Sequence, residues 1–294
     1  MKVFNQQQLT LSIEPGEVRA MVHEGRKVLY WEPLSLPPEA MEKGQIVQPE
    51  ALAQALTTFI ERTGAPRKSV VVSINEQGAL VRILRLPAVP DRMLEETVRR
   101  TARRELPLPP EALYLAWQPL DGASGSQIDV FVVGTPRDAI DQAVAGLQEA
   151  KATVTAMDLK PLALVRAANQ ADVLLVNVED ESESVTLVRD FVPRIVRSVA
   201  ASNREARLIA QRAEHLTTEI QRTLDFYNST QASRHAPWSP TVCLTGALAS
   251  REEIRARVET NWPLVEPAPP LTLPDEFPTL SFLPNVGLAL KETE

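Results

Sequence analysis

The sequence predicts an α/β protein of two similar lobes, with a small α+β block inserted between their cores. Two observations carry that prediction. The order strand, strand, strand, helix, strand occurs twice, once in residues 9–74 and once in 173–245. Between the copies lies a stretch of different order, in which strands and helices alternate around proline breaks. A three-strand meander followed by a crossover helix and a buried parallel strand makes one α/β layer unit. Two such units facing each other form a cleft. The expected boundaries are residues 1–77 for the first lobe, 78–157 for the inserted block and 158–294 for the second lobe.

In the first copy Leu9, Leu11 and Ile13 alternate with Thr10 and Ser12, the period of a strand. Glu14-Pro15-Gly16-Glu17 reads as a turn, residues 18–22 as a second strand, Glu24-Gly25-Arg26 as another turn and residues 28–31 as a third strand. A helix over residues 49–63 follows, with Pro49 suited to its first turn and Gly64 to its end. Its apolar stripe is Leu52, Leu56, Phe59 and Ile60. Residues 70–74 are short and β-branched, as a buried strand should be.

The inserted block begins with a strand at residues 81–86. Pro87 and Pro90 lead to a helix over residues 91–105, whose buried stripe is Leu94, Val98 and Ala102 and which Pro107 stops. Two strands follow at 114–119 and 129–133, joined by a Gly/Ser turn at 121–126. A helix at 136–150 and a strand at 153–156 complete the block. In the second copy, strands at 173–178, 185–188 and 195–199 precede a long helix over about 204–228. Its Ile209, Ala213, Leu216, Ile220, Leu224 and Tyr227 share one face. Residues 242–245 are the last interior strand expected, and a helix over 250–260 follows.

Composition excludes several functions. The 294 residues carry a net charge of −7, which is unlike the basic surface of a nucleic-acid binder. The single cysteine, Cys243, rules out a disulfide framework and a cysteine zinc site, and the three histidines are scattered. No apolar run approaches the ~18 residues that cross a bilayer, so a cytoplasmic protein is expected. Glycine is scarce (11) and proline abundant (24), and no GxGxxG or GxxxxGK[ST] phosphate loop can be drawn. The arginines of the 91–105 helix are nearly balanced by acids, which reads as a solvated face.

Five stretches in the right order resemble the PilM family, actin-like proteins of type IV pilus assembly related to the division protein FtsA. They are Leu84-Arg85-Leu86-Pro87 with Glu105-Leu106-Pro107; Met157-Asp158-Leu159-Lys160-Pro161-Leu162; Glu219-Ile220-Gln221-Arg222-Thr223-Leu224-Asp225-Phe226-Tyr227; Leu244-Thr245-Gly246-Ala247; and Val286-Gly287-Leu288-Ala289-Leu290. The resemblance implies an actin/ribonuclease H-like two-lobed fold with the inserted block as a small FtsA-type subdomain. It also implies a C-terminal helix that returns to the core.

The family is expected to bind ATP and Mg²⁺ in the cleft, through two phosphate hairpins and a glycine-rich adenosine loop. The matching positions are Gly16, Asn177, Glu219, Arg222 and Gly246. Each element departs from the family pattern. The first hairpin, Glu14-Pro15-Gly16-Glu17, is short and lacks hydroxyls. Around the second, Asn177 replaces an acid, and Glu179, Asp180, Glu181 and Glu183 crowd the turn. The adenosine loop keeps one glycine, and only 19 residues separate Val199 from Glu219, where the family has a whole subdomain. The expectation is therefore a degenerate cleft with no catalytic residues, no bound metal and no cofactor. Glu219 and Arg222, three residues apart on a helix, read as an intrahelical pair in preference to a retained nucleotide contact.

By the same resemblance, the partner is the cytoplasmic tail of a PilN-like inner-membrane protein, with other assembly-platform proteins as further partners. The tail is expected in a groove between the first lobe and the inserted block, with Arg82, Leu84, Leu86 and Pro87 as one wall. A working actin-like ATPase is the alternative. The cytoplasmic part of a type II secretion protein of the same fold is a third reading, for which a membrane helix after the core would be expected.

Overall fold

The alternating N-terminal residues build an antiparallel meander of β1 (Gln7–Glu14), β2 (Glu17–Glu24) and β3 (Lys27–Ser35). The computed structural model of the protein describes residues 6–42, 44–120, 126–200, 209–231 and 238–291. A small hairpin of β4 (Met41–Glu42) and β5 (Gln45–Ile46) precedes α1 (Pro49–Thr63), which crosses to β6 (Val70–Ile74). β6 runs parallel to β1, with Leu9 opposite Val70 and Ser12 opposite Ser73. The α1 stripe of Leu52, Leu56, Phe59 and Ile60 packs onto Leu9, Leu11, Val70 and Val72.

The inserted block contains β7 (Leu80–Pro87), α2 (Asp91–Glu105), β8 (Leu113–Pro119) and β9 (Gln127–Pro136). Its three strands form an antiparallel sheet ordered β7-β9-β8. α2 covers one face, closing a separate core of Leu84, Leu86, Val98, Ala102, Val130 and Val132. The expected turn at 121–126 lies, except for Ser126, outside the described residues. The sequence also assigned α3 (Arg137–Glu149) and β10 (Val154–Leu159) to this block, but both pack with the first lobe. β10 lies parallel to β6, with Met157 opposite Val72, and so pairs an edge that would otherwise be bare. α3 places Ala143 and Leu147 in the α1 core.

After α4 (Lys160–Ala168) the meander recurs as β11 (Val173–Val178), β12 (Ser182–Arg189) and β13 (Val192–Ala200). α5 (Ile209–Gln231) crosses to β14 (Val242–Thr245), which runs parallel to β11. The start expected for this helix, 204–208, lies outside the described residues. The two sheets are ordered β10-β6-β1-β2-β3 and β13-β12-β11-β14, so the repeat is complete in topology. One expectation fails. Residues 242–245 are buried as expected but not interior to the sheet: β14 is the edge of its ladder, and among the described residues of the second lobe no strand flanks it as β10 flanks β6. Residues 263–265 cover that edge instead, through Val242 N–H to the Pro263 carbonyl and Val265 N–H to the Val242 carbonyl, each 2.9 Å.

α6 (Glu252–Glu259) packs beside α5, and α7 (Thr279–Ala289) returns to the centre, as the resemblance implied. α4 and α7 lie between the two sheets and share a core with Met21 and Val28 of one and Leu175, Val188 and Cys243 of the other. Gly287 permits their close approach, since a Cβ there would run into the Ala163 carbonyl.

Candidate functional site

The cleft between the lobes is bounded by two hairpin turns, β1–β2 at residues 14–17 and β11–β12 at residues 179–182. Strand alternation sends Ser12 and Glu14 of β1 and Arg19 of β2 to the inner face of the first sheet, where all three are buried. Glu179 leaves the end of β11 from the opposite side. Arg19 meets it with two parallel bonds, Nη1 to Oε1 at 3.0 Å and Nη2 to Oε2 at 2.7 Å. The same guanidinium donates to the Ser281 carbonyl at 2.6 Å and pairs with Glu17 at 2.7 Å. Lys160, at the first turn of α4, donates from Nζ to Glu14 Oε2 at 2.9 Å. Asn177 turns its amide oxygen to Lys160 (3.2 Å) and its nitrogen to Glu179 (3.3 Å) and Thr245 (3.1 Å). Ser12 donates to Glu14 at 2.7 Å and accepts from Ser73 at 2.9 Å.

This is a buried network whose cations and carboxylates face one another. Burial pushes the Glu14 carboxyl up, but the Lys160 charge and then Arg19 outweigh burial and hold it below its ordinary value. Burial, and next the neighbouring Glu14 charge, push Glu179 up. Burial lowers Lys160, yet its carboxylate neighbours, Glu14 first, raise it above the usual lysine value.

Four backbone donors around the two turns and the Gly246 loop are also engaged. Gly16 N–H points to the Met41 sulfur at 3.3 Å, and Glu179 N–H is bonded within its own turn to the Ser182 carbonyl at 2.9 Å. Gly246 N–H donates to the Leu280 carbonyl at 2.8 Å, and Ala247 N–H to Glu179 Oε2 at 3.2 Å. Gly246 is required for another reason. Its φ is +98°, and a Cβ would strike the Val178 backbone.

In sequence, carboxylates crowd the two turns of a degenerate cleft. Glu14 and Glu179 instead point inward and are neutralised, and Glu183 is held by Arg212 at 2.9 Å. Arg212 also donates to the Glu179 and Asp180 carbonyls, tying the turn to α5. Asn177 and Gly246 lie at the cleft, beside Glu179. Glu219 is buried on α5 and bonded to Arg197 of β13 (3.1 Å) and to Arg222, the intrahelical pair foreseen. Arg19 and Lys160 went unread as site residues. Their signal was present, because a cation inside an apolar strand, or beside a buried strand end, must find a counter-charge. Among the described residues no group of three or more His, Cys, Asp or Glu side chains is placed to hold a metal.

A second feature is a cavity of about 620 Å³ between the inserted sheet and the first lobe. The face of β8 and β9 opposite α2 supplies Tyr114, Ala116, Phe131 and Val133; Met157, Leu159 and Leu162 of the first lobe's β10 and the following α4 lie across from them. Asp158, paired with Arg166 and 3.6 Å from Lys291, gives one charged rim. Tyr114 donates to Asp141 at 2.8 Å and carries the Arg137 guanidinium over its ring at 4.3 Å. The wall expected from the sequence is placed differently. Leu84 and Leu86 are buried under α2 and face away from the cavity, and Arg82 and Pro87 are exposed on β7, the far edge of the sheet.

The sequence matches the family described as Type IV pilus assembly protein PilM over residues 22–190. Comparison with curated proteins gives no match. Among solved structures, a chain of a PilM–PilN type IV pilus biogenesis complex is similar with a TM-score of 0.77 and 23% identity, covering 96% of this chain and 97% of that one. The cytoplasmic domain of EpsL, an inner-membrane component of the type II secretion system of Vibrio cholerae, gives 0.55 at 12% identity over 98% of this chain and 97% of that one. A Bacteroides thetaiotaomicron protein with an actin-like ATPase fold gives 0.52 at 11% identity, covering 99% of this chain and 100% of that one. These likenesses establish the actin-like ATPase fold, in agreement with the repeated sheet order.

Proposed function

The chain belongs to the PilM family of type IV pilus assembly proteins, and from that premise we propose that it is a scaffold that binds the cytoplasmic tail of a PilN-like inner-membrane protein. The tail lies in the groove between the inserted sheet and the first lobe. The carrying observation is the groove itself, a cavity of about 620 Å³ walled by the uncovered face of a small sheet. Its size is that of an ordinary ligand site. A related chain was solved in a PilM–PilN complex, which gives the class of partner. Such a tail orders on binding, so the affinity is modest. In this reading the protein is cytoplasmic and reaches the inner membrane through its partner. No helix among the described residues is long and apolar enough to cross a membrane. In this reading the units are a first lobe of residues 1–77 joined by α3 and β10, an inserted block built on β7, α2, β8 and β9, and a second lobe that begins at α4.

We propose further that the protein neither binds ATP usefully nor hydrolyses it. An actin-like site holds phosphate with free backbone N–H groups and positive charge. Here Gly16 N–H and Glu179 N–H are already bonded, and Arg19 and Lys160 are paired with Glu179 and Glu14. A triphosphate would have to displace a complete buried network.

The test is fluorescence anisotropy with a labelled synthetic peptide copying the cytoplasmic tail of the PilN-like protein from the same genome. Ala116 is exposed within the groove, so Ala116→Arg should weaken binding at least about tenfold with the melting temperature unchanged. Unchanged binding would overturn the groove. Calorimetry with millimolar Mg-ATP should give no saturable heat. A dissociation constant below ~10 μM, or a ligand-induced rise in melting temperature, would restore the ATPase reading.

A further inference from the structure

The groove has a third wall, supplied by the second lobe. The turn between β12 and β13 lies against the cavity, and Asp190, Phe191, Val192 and Pro193 all line it. Ala116 and Gln118 of β8 line the same cavity, so the turn faces the inserted block across it. Phe191 is 54% exposed, among the most exposed large apolar side chains of the described residues, and belongs to no core cluster.

The backbone there is costly. Asp190 has φ +54° and Phe191 φ +60°, the pair of left-handed conformations of a tight hairpin turn. Glycine is the usual residue at the second of these positions, and a bulky aromatic is a true outlier. The turn is nevertheless held firmly. Phe191 N–H donates to the Ala171 carbonyl at 2.9 Å, and Asp190 N–H to Asp172 Oδ1 at 3.2 Å. Arg189 pairs with the same Asp172 at 2.8 Å. An exposed ring on a strained but fixed turn adds nothing to the core, and it borders an apolar groove. Strain that the fold holds in place is found where function uses it.

We propose that Phe191 is an anchor for the bound tail: an apolar side chain of the tail packs on its ring, and the second lobe thereby completes the binding site. This rests on the tail-binding reading above. It commits the partner to an extended peptide with an apolar residue at the β12–β13 end of the groove, where a rigid aromatic gives large contact area at little entropy cost. It also makes tail affinity depend on how the lobes are set, because the site draws on both.

The experiment measures the same labelled PilN-tail peptide against wild type, Phe191→Gly, Phe191→Ala, Phe191→Leu and Ala116→Arg, with a thermal melt and a sedimentation run for each. The expected result is binding weakened about tenfold in Phe191→Gly and Phe191→Ala, and within about threefold of wild type in Phe191→Leu. Phe191→Gly should melt no lower than wild type, since glycine relieves the left-handed strain. Lost affinity without lost stability is the signature that a merely structural ring would not give. If Ala116→Arg abolishes binding while the Phe191 variants bind as wild type, this inference alone is overturned. If wild type fails to bind, or Ala116→Arg is silent, both readings fall. If Phe191→Gly instead dissociates an oligomer and leaves peptide binding intact, the ring serves self-association and the proposal is wrong.

Discussion

Replacing Arg19 by Met removes one partner of a buried ion pair and leaves the other in place. The side chains of Arg19 and Glu179 are 4% and 3% exposed, and two charge-assisted bonds of 3.0 and 2.7 Å join them. Breaking such a pair from one side costs about 3–5 kcal/mol, because the remaining charge stays desolvated. The Ser281 carbonyl loses its 2.6 Å donor as well. Two contacts survive for Glu179, from Ala247 N–H at 3.2 Å and from the Asn177 amide, so the lower half of that range applies. At 2–4 °C per kcal/mol for a chain of this order, a loss of about 3–4 kcal/mol should lower the melting temperature by roughly 6–16 °C. The loss has a pH signature. Glu179 is already raised by burial and by Glu14, and removing Arg19 raises it further. A carboxyl raised in the folded state favours folding below its unfolded value and loses that contribution as pH rises through the folded one. The variant should therefore be least stable relative to wild type near pH 8 and recover toward pH 5. Arg19→Met with Glu179→Leu should regain most of the loss, since an apolar replacement of a whole buried pair is near neutral. Thermal melts at pH 5, 7 and 8 decide the matter. A single variant melting within about 2 °C of wild type at pH 7, or a double variant no better than the single, would refute this account of the cleft.

Two further perturbations follow from the packing. Gly287→Ala drives a Cβ into the Ala163 backbone where α4 and α7 meet, so it should cost about 2–3 kcal/mol and lower the urea midpoint with an unchanged slope; a midpoint equal to wild type would mean that the helices can part freely. Burial, and next the Glu266 charge, push the Cys243 thiol up to about 12 from an ordinary 9.0, so its contribution is intact below pH 9 and is lost between pH 9 and 12. Stability at pH 11 should be about 2–3 kcal/mol below that at pH 8 from this group, and Cys243→Ala should flatten the alkaline slope in melts at the two pH values.

The elements were legible where one face was wet or where prolines and glycines punctuated the chain. Residues 49–63 and 91–105 show a single stripe each, and both helices form with those bounds. α4 was not legible as a helix. Its nine residues include Pro161, and Ala163, Leu164, Val165, Ala167 and Ala168 are all buried, so no polar face marks the period. α7 came from the resemblance and not from a periodic stripe, for the same reason: Phe282, Leu283, Val286 and Leu288 are all buried between the sheets. β1 shows the converse limit. Thr10 and Ser12 alternate with the apolar residues like a solvent face, yet both are fully buried. Asn285 of α7 satisfies that face, donating to the Thr10 carbonyl at 3.0 Å. The candidate cleft was legible as a place, through its two turns and Gly246. Its chemistry was not, because whether a carboxylate repels a ligand or pairs with Arg19 depends on contacts from chain positions 160 residues apart.

A nucleotide in a two-lobed cleft joins the lobes by touching both, and here the chain makes those contacts itself. Arg19 of the first lobe reaches Glu179 of the second and the Ser281 carbonyl at the start of α7. Asn285 of α7 donates to the Arg19 carbonyl at 2.8 Å. The proline-rich stretch after α6 bonds β14 through Val265 and then the opposite sheet, where Thr272 N–H meets the Arg26 carbonyl at 2.9 Å. It thus lies against one edge of each sheet, β14 and β3, and spans the lobes. A ligand shifts a conformational equilibrium only by its differential affinity for the states. If the cleft is closed to nucleotide as proposed, a nucleotide has no such difference to offer. Tail affinity in this protein should accordingly be the same, within about twofold, with and without millimolar Mg-ATP. A larger change in the anisotropy titration would show that the cleft still communicates with the groove, and that the ion pairs open under load rather than standing in for the ligand.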